Sequence, residues 1–222
     1  MTRITVACLD MAGTTVADDG VVIAAFQNAI GDQRLAADAH ERAMRVAHQT
    51  MGQSKIVVFR EIFGDESTAQ RVNSAFEEHY ARAVSAGRIR PLPGAAEALK
   101  HLRDAGLQVC LSTGFSPVTR DAILDALGWR ELIDLALSPA DVGRGRPFPD
   151  MALTAMLRLG GGAVSELAVA GDTASDIESG LRAGAGVVAG VLTGTGTRED
   201  FEQAGAPLIL DTIADLVPYV TG

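Results

Sequence analysis

Short apolar runs alternate with amphipathic stretches of helical length over most of this chain. ITVACLD (4–10) is a continuous run rich in β-branched residues, the pattern of a strand buried on both faces. LQVCLST (107–113), LAVAGD (167–172), VVAGVLT (187–193) and PLILD (207–211) share it, and IDLALS (133–138) is a weaker example. Between them, Gly94 to Ala105, Pro117 to Leu127 and Asp150 to Gly160 carry apolar positions at helical spacing. This alternation predicts an α/β fold, a doubly wound parallel sheet with helices on both faces. From about Gly20 to Gly87 no strand pattern occurs. Val22, Phe26 and Ile30, and Val72, Phe76, Tyr80 and Ala83, repeat at helical spacing instead. We read this stretch as an inserted helical cap, with RIRPLPG (88–94) as the linker back. The expected organisation is a core of residues 1–16 and 89–222 and a cap of residues 17–88.

Composition narrows the class. With 222 residues, 47% of them apolar, the chain can bury a core without staples. Nineteen basic against 28 acidic residues give a net charge of −9. That disfavours nucleic acid or an anionic membrane as partner, whereas a few local cations still suffice for a small phosphorylated or phosphonate substrate. Cys8 and Cys110 lie in apolar runs and read as reduced core residues. His40, His48, His79 and His101 show no metal-ligand spacing. The chain opens with an acid inside its first apolar run, unlike a signal peptide, and no stretch is apolar enough to span a bilayer, so a cytoplasmic protein is expected. The sequence leaves room for a homodimer without specifying one.

Ligands of open α/β sheets bind beyond the carboxyl ends of the strands. The first strand ends in Asp10, followed by Met-Ala-Gly-Thr-Thr; the second ends Ser112-Thr113-Gly114; a later one ends Gly171-Asp172-Thr173-Ala174-Ser175-Asp176. Two carboxylates from different strands, Asp10 and Asp172, can share a hard, oxygen-seeking cation such as Mg²⁺. One of them can then attack phosphorus. The Thr113 hydroxyl and the Gly114 N–H suit a phosphoryl oxygen, and the planar fork of Arg146 suits phosphate. Taken singly, each residue has a plainer role: a strand-terminal Asp is often only a helix N-cap. Their order and placement together argue for a site.

Those segments resemble the motifs of the haloacid dehalogenase superfamily: DMAGTT (10–15) the first, STG (112–114) the second, Arg146 the third and GDTASD (171–176) the fourth. The resemblance spans essentially the whole chain, including a helical cap after the first motif. It implies a Rossmann-like core, Asp10 as nucleophile, and Mg²⁺ held by Asp10, the Ala12 carbonyl and Asp172, with Thr173 and Asp176 in support. Ordinary phosphatase members carry a second Asp at the position of Ala12, as general acid for the leaving alkoxide. General acid catalysis is worth roughly 10²–10⁴-fold, so the leaving group here either goes without that help or does not need it.

The phosphonoacetaldehyde hydrolase (phosphonatase) branch is similar in detail. It shares the Asp-x-Ala-Gly-Thr-Thr, Gly-Arg-Pro and Gly-Asp-Thr-x-Ser-Asp segments. Its Met-Gly-x-x-Lys cap segment is matched by Met51-Gly52-Gln53-Ser54-Lys55. The resemblance implies that Lys55 forms a Schiff base with a substrate aldehyde, with Met51 at the substrate end, and that the iminium takes up the electrons of C–P cleavage. All but two of the basic residues are arginine, and arginine cannot serve as an amine nucleophile. Val58 stands where that branch has a histidine, a cysteine expected after the first motif is absent, and the chain is short for the branch. Two rivals stay open: a phosphomonoester phosphatase lacking the usual acid, and a non-catalytic ligand-binding relative.

Overall fold

Successive residues of a strand point to opposite faces, and here both faces are covered. Val6 and Cys8 of β1 (Val6–Asp10) pack with Met151 and Met156, while Ala7 and Leu9 pack with Leu99, Leu102 and Ile123. Burial on both sides is why these strands read as unbroken apolar runs. The computed structural model describes residues 3–222. β1, β2 (Gln108–Ser112), β3 (Leu135–Leu137), β4 (Leu167–Gly171), β5 (Val187–Val191) and β6 (Leu208–Leu210) form one parallel sheet in the order β3-β2-β1-β4-β5-β6. This is the doubly wound arrangement expected, and its order reverses between β1 and β4, where ligands of such sheets bind. Cys8 and Cys110 are register partners on β1 and β2, both buried and free.

Helices α5 (Ala95–Asp104), α6 (Pro117–Leu127) and α10 (Val217–Thr221) cover one face, and α7 (Asp150–Arg158), α8 (Ala174–Ala183) and α9 (Arg198–Gln203) the other. Their ends are written locally. Ser116 caps α6 by accepting from the Thr119 N–H, Pro117 opens the helix, and Gly128 closes it in the left-handed conformation. Thr173 and Asp176 form the capping box that starts α8.

Between β1 and α5 the chain forms α1 (Val21–Gly31), α2 (Ala37–Gln49), α3 (Lys55–Phe63) and α4 (Glu66–Ser85). No strand occurs there, as the periodicity requires. Phe26, Phe59, Phe76 and Tyr80 are fully buried and form one aromatic cluster, with ring centroids 4.8 Å apart for Phe26–Phe76 and 5.2 Å for Phe26–Phe59. The cluster continues into the sheet side through Phe115, whose ring lies 4.4 Å from that of Tyr80. Glu77 of α4 ties the same junction, accepting hydrogen bonds from the Ser116 N–H (3.3 Å), the Ser116 hydroxyl (2.7 Å) and the Thr119 hydroxyl. Among the described residues no helix is long and apolar enough to cross a membrane.

Candidate active site

Register brings the acids together. Leu9 of β1 pairs with Ala170 of β4, so Asp10, one residue on, and Asp172, two residues on, emerge side by side from neighbouring strands. Both are buried and line one small cavity of about 40 Å³. Ala12, Met51, Lys55, Thr113, Gly114, Arg146 and Thr173 line it too. Of the residues expected at the site, only Asp176 lies outside that lining.

Asp176 has two tasks instead. Its carboxylate accepts from the Thr173 N–H (3.1 Å) and hydroxyl (2.5 Å) at the start of α8, and it pairs with Arg146. Arg146 is also paired with Asp10 at 2.6 Å. Burial opposes the arginine's charge, but Asp10 and Asp176 outweigh it and keep it protonated. Its Nε remains buried without a partner among the described residues, a spare donor in the wall of the cavity. A phosphoryl oxygen would satisfy it.

Asp172 has no ion pair among the described residues. One of its oxygens accepts from the Thr195 N–H (2.9 Å) and hydroxyl (3.4 Å), the other from the Thr14 hydroxyl (3.4 Å). Burial, then the neighbouring charges of Asp10 and Asp176, push its carboxyl well above the usual range. Asp10 is raised to about 6, chiefly by burial, with Arg146 opposing. Three buried carboxylates thus face one guanidinium. A divalent cation shared by Asp10 and Asp172 would remove that imbalance, and the donors are the hard oxygens that Mg²⁺ prefers. Gly13 and Gly194 leave the room: a Cβ at either would collide with the Asp172 carboxylate. No group of three or more His, Cys, Asp or Glu side chains among the described residues forms a metal cage, so a cation would depend on these two acids and backbone oxygen such as that of Ala12.

Lys55, the first residue of α3, is buried opposite the acids. Its ammonium lies 5.5 Å from the centroid of Phe26 and 5.4 Å from that of Phe115, and donates to the Gln53 carbonyl at 3.3 Å. Burial, reinforced by Arg146, lowers its pKa from 10.5 to about 8. The fold holds it there through two close crossings. The Lys55 N–H donates to the Gly114 carbonyl (3.3 Å), and a Cβ at Gly114 would strike the Gln53 carbonyl. A Cβ at Gly52, whose φ is +83°, would strike the Thr173 hydroxyl. The absence of a side chain at Gly114 therefore lets the segment before α3 touch the end of β2.

A wider groove of about 390 Å³ lies beside this cavity and shares Lys55, Gly114, Phe115 and Arg146 with it. Sequence reasoning missed Asp18, Val22, Phe115 and Thr195 as lining residues. Thr195 follows a strand end in Gly194-Thr195-Gly196, so the strand-end rule applied to β5 would have found it. Phe115, directly after Ser112-Thr113-Gly114, lay within reach of the same rule; Asp18 had no comparable signal.

The haloacid dehalogenase-like hydrolase family matches residues 4–184. The probable phosphatase IndB of Dickeya dadantii is 29% identical over 218 residues, covering 94% of this chain and 90% of that protein. The phosphonoacetaldehyde hydrolase of Bordetella pertussis is 30% identical over 187 residues, 73% of this chain and 68% of that one. Among solved structures, a phosphonoacetaldehyde hydrolase-like protein from Oleispira antarctica superposes with a TM-score of 0.82 at 25% identity, over 99% of this chain and 93% of that chain. A match of that extent, on a sheet of this order, makes the chain a member of the haloacid dehalogenase-like hydrolase family.

Proposed function

We propose that this hydrolase is an Mg²⁺-dependent enzyme that forms an aspartyl-phosphate at Asp10 and cleaves the C–P bond of phosphonoacetaldehyde or a closely related phosphonate. The observation that carries the reading is Lys55: an amine with a pKa of about 8, buried in the same 40 Å³ cavity as Asp10. A buried surface-type lysine is costly and needs a reason. At neutral pH part of it is free amine, able to attack an aldehyde carbon. The resulting iminium withdraws electrons, so that when the C–P bond breaks its electron pair forms an enamine. The phosphoryl group passes to the Asp10 carboxylate, and water then releases phosphate. Ala12 is compatible with this course, because an enamine leaves without the proton an alkoxide requires. Arg146, the Thr113 hydroxyl and the Gly114 N–H would orient the phosphoryl oxygens. Mg²⁺, held by Asp10, the Ala12 carbonyl and Asp172, would supply charge neutralisation for the anionic substrate. A cytoplasmic location suits such a small metabolic substrate.

The experiment is a comparison of substrates and of covalent trapping. With phosphonoacetaldehyde and borohydride, wild type gains an irreversible adduct on Lys55, and Lys55→Arg loses phosphonate turnover by several orders of magnitude. The rival reading, a phosphomonoester phosphatase, draws on the likeness to the phosphatase IndB, which extends over nearly the whole chain. Efficient phosphomonoester hydrolysis that survives Lys55→Arg, with no adduct in wild type, would establish it.

A further inference from the structure

Schiff-base chemistry needs a proton donor at the lysine. Attack of the amine on an aldehyde gives a carbinolamine, whose oxygen departs as water only after gaining a proton. Val58, three residues on from Lys55 in α3, is buried in the apolar core and has no proton to give. Three carboxylates bear on the charge of Lys55: Asp10, Glu77 and Asp18. Asp10 is paired with Arg146 and placed to attack phosphorus. Glu77 is engaged by Ser116 and Thr119. Asp18 remains. It lines the same small cavity as Lys55 and accepts backbone hydrogen bonds at the start of α1, from the Val22 N–H at 3.0 Å and from Gly20. Its neighbour Asp19 is turned away onto Arg90 at 2.8 Å. Tyr80, the other buried ionisable group nearby, sits behind Phe115 and outside the cavity lining.

We infer that Asp18 is the proton-transfer residue for Lys55, a catalytic group on the segment that leads into the cap. The inference rests on the Schiff-base reading above. Protonated Asp18 gives its proton to the carbinolamine oxygen, the C–O bond breaks, and water and the iminium result. After the C–P bond has broken and the enamine carbon has taken a proton from solvent, water adds to the product iminium. The Asp18 carboxylate then takes back one proton as the aldehyde leaves and the free amine returns. Its partial burial raises its carboxyl above the ordinary range, in the direction that favours the protonated form this step uses.

The test measures how fast the adduct forms. Phosphonoacetaldehyde and borohydride are added to wild type, Asp18→Asn and Asp18→Ala in Mg²⁺ buffer, and the modified Lys55 peptide is followed by mass against time. Asparagine keeps an acceptor for the Val22 N–H, so that variant retains the start of α1. The expected result is an adduct in all three proteins, formed roughly 10²–10⁴-fold more slowly in the variants. Formate should restore the rate in Asp18→Ala, where truncation leaves space for a small carboxylic acid. Equal rates in wild type and Asp18→Asn would overturn the assignment of Asp18 while leaving Lys55 its role. Absence of any adduct in wild type would overturn the Schiff-base reading and this inference with it.

Discussion

Lys55 is the residue at which stability and chemistry pull in opposite directions. Its pKa in the folded chain, about 8, lies below the ordinary 10.5, so at pH 7 folding carries a penalty for burying the ammonium. Two and a half pKa units correspond to roughly 3 kcal/mol. The sign follows from proton counting. Between about pH 8 and 10.5 the unfolded chain holds more protons than the folded one, so the penalty fades as pH rises through that window. Lys55→Met should therefore melt at a higher temperature than wild type at pH 7, with the gap closing towards pH 10.5, and should have no phosphonate turnover. Melting curves at several pH values check this; a variant less stable than wild type at pH 7 would mean that the lysine is favourably paired. Asp10, Asp172, Thr113 and Arg146 were legible in the sequence because each follows from a rule of placement, the carboxyl end of a buried strand or a loop cation. Asp18 was not, because its place in the cavity comes from how the segment after β1 folds over the sheet, and nothing local specifies that approach.

At the scale of elements, the site depends on two contacts between the segment before α3 and the sheet. One is Gly114 beneath the Gln53 carbonyl, the other Gly52 beside the Thr173 hydroxyl. Gly114→Ala places a Cβ against backbone, which cannot swing aside as a side chain would, so the segment carrying Lys55 must lift. Misplacing a reacting group by about 1 Å costs about 10²-fold in rate. The expected outcome is a fall of that size in kcat/KM for the phosphonate with little change in melting temperature, measured by steady-state kinetics and calorimetry. Unchanged kinetics would show that the crossing does not position the lysine. Strand positions read from the sequence differ from those observed only at their ends, as with β6 (Leu208–Leu210) against a predicted 207–211. The four helices of the insert emerged only as helical periodicity. Their boundaries follow tertiary packing of Phe26, Phe59, Phe76 and Tyr80 more than they follow capping residues: Asp65 alone of the four N-caps accepts a side-chain hydrogen bond.

For the whole molecule, the order of the sheet decides what chemistry is accessible. Reversal between β1 and β4 sets Asp10 and Asp172 side by side, and an acidic chain of net charge −9 concentrates its useful cations, Arg146 and Lys55, at that point. The wider groove beside it is lined by polar Gln53, Glu77 and Arg144 and by apolar Ile56, Phe115 and Phe148. All of this presupposes that Asp10 becomes phosphorylated with the help of a cation that Asp172 shares. The most direct test is to quench wild type in acid during turnover of phosphonoacetaldehyde with Mg²⁺ and to map the phosphorylated peptide by mass. The expected result is one phosphoryl group on the peptide containing Asp10, absent without Mg²⁺ and absent in Asp172→Asn. Phosphate release at the wild-type rate from Asp10→Asn, or a phosphoryl group on a different residue, would contradict it.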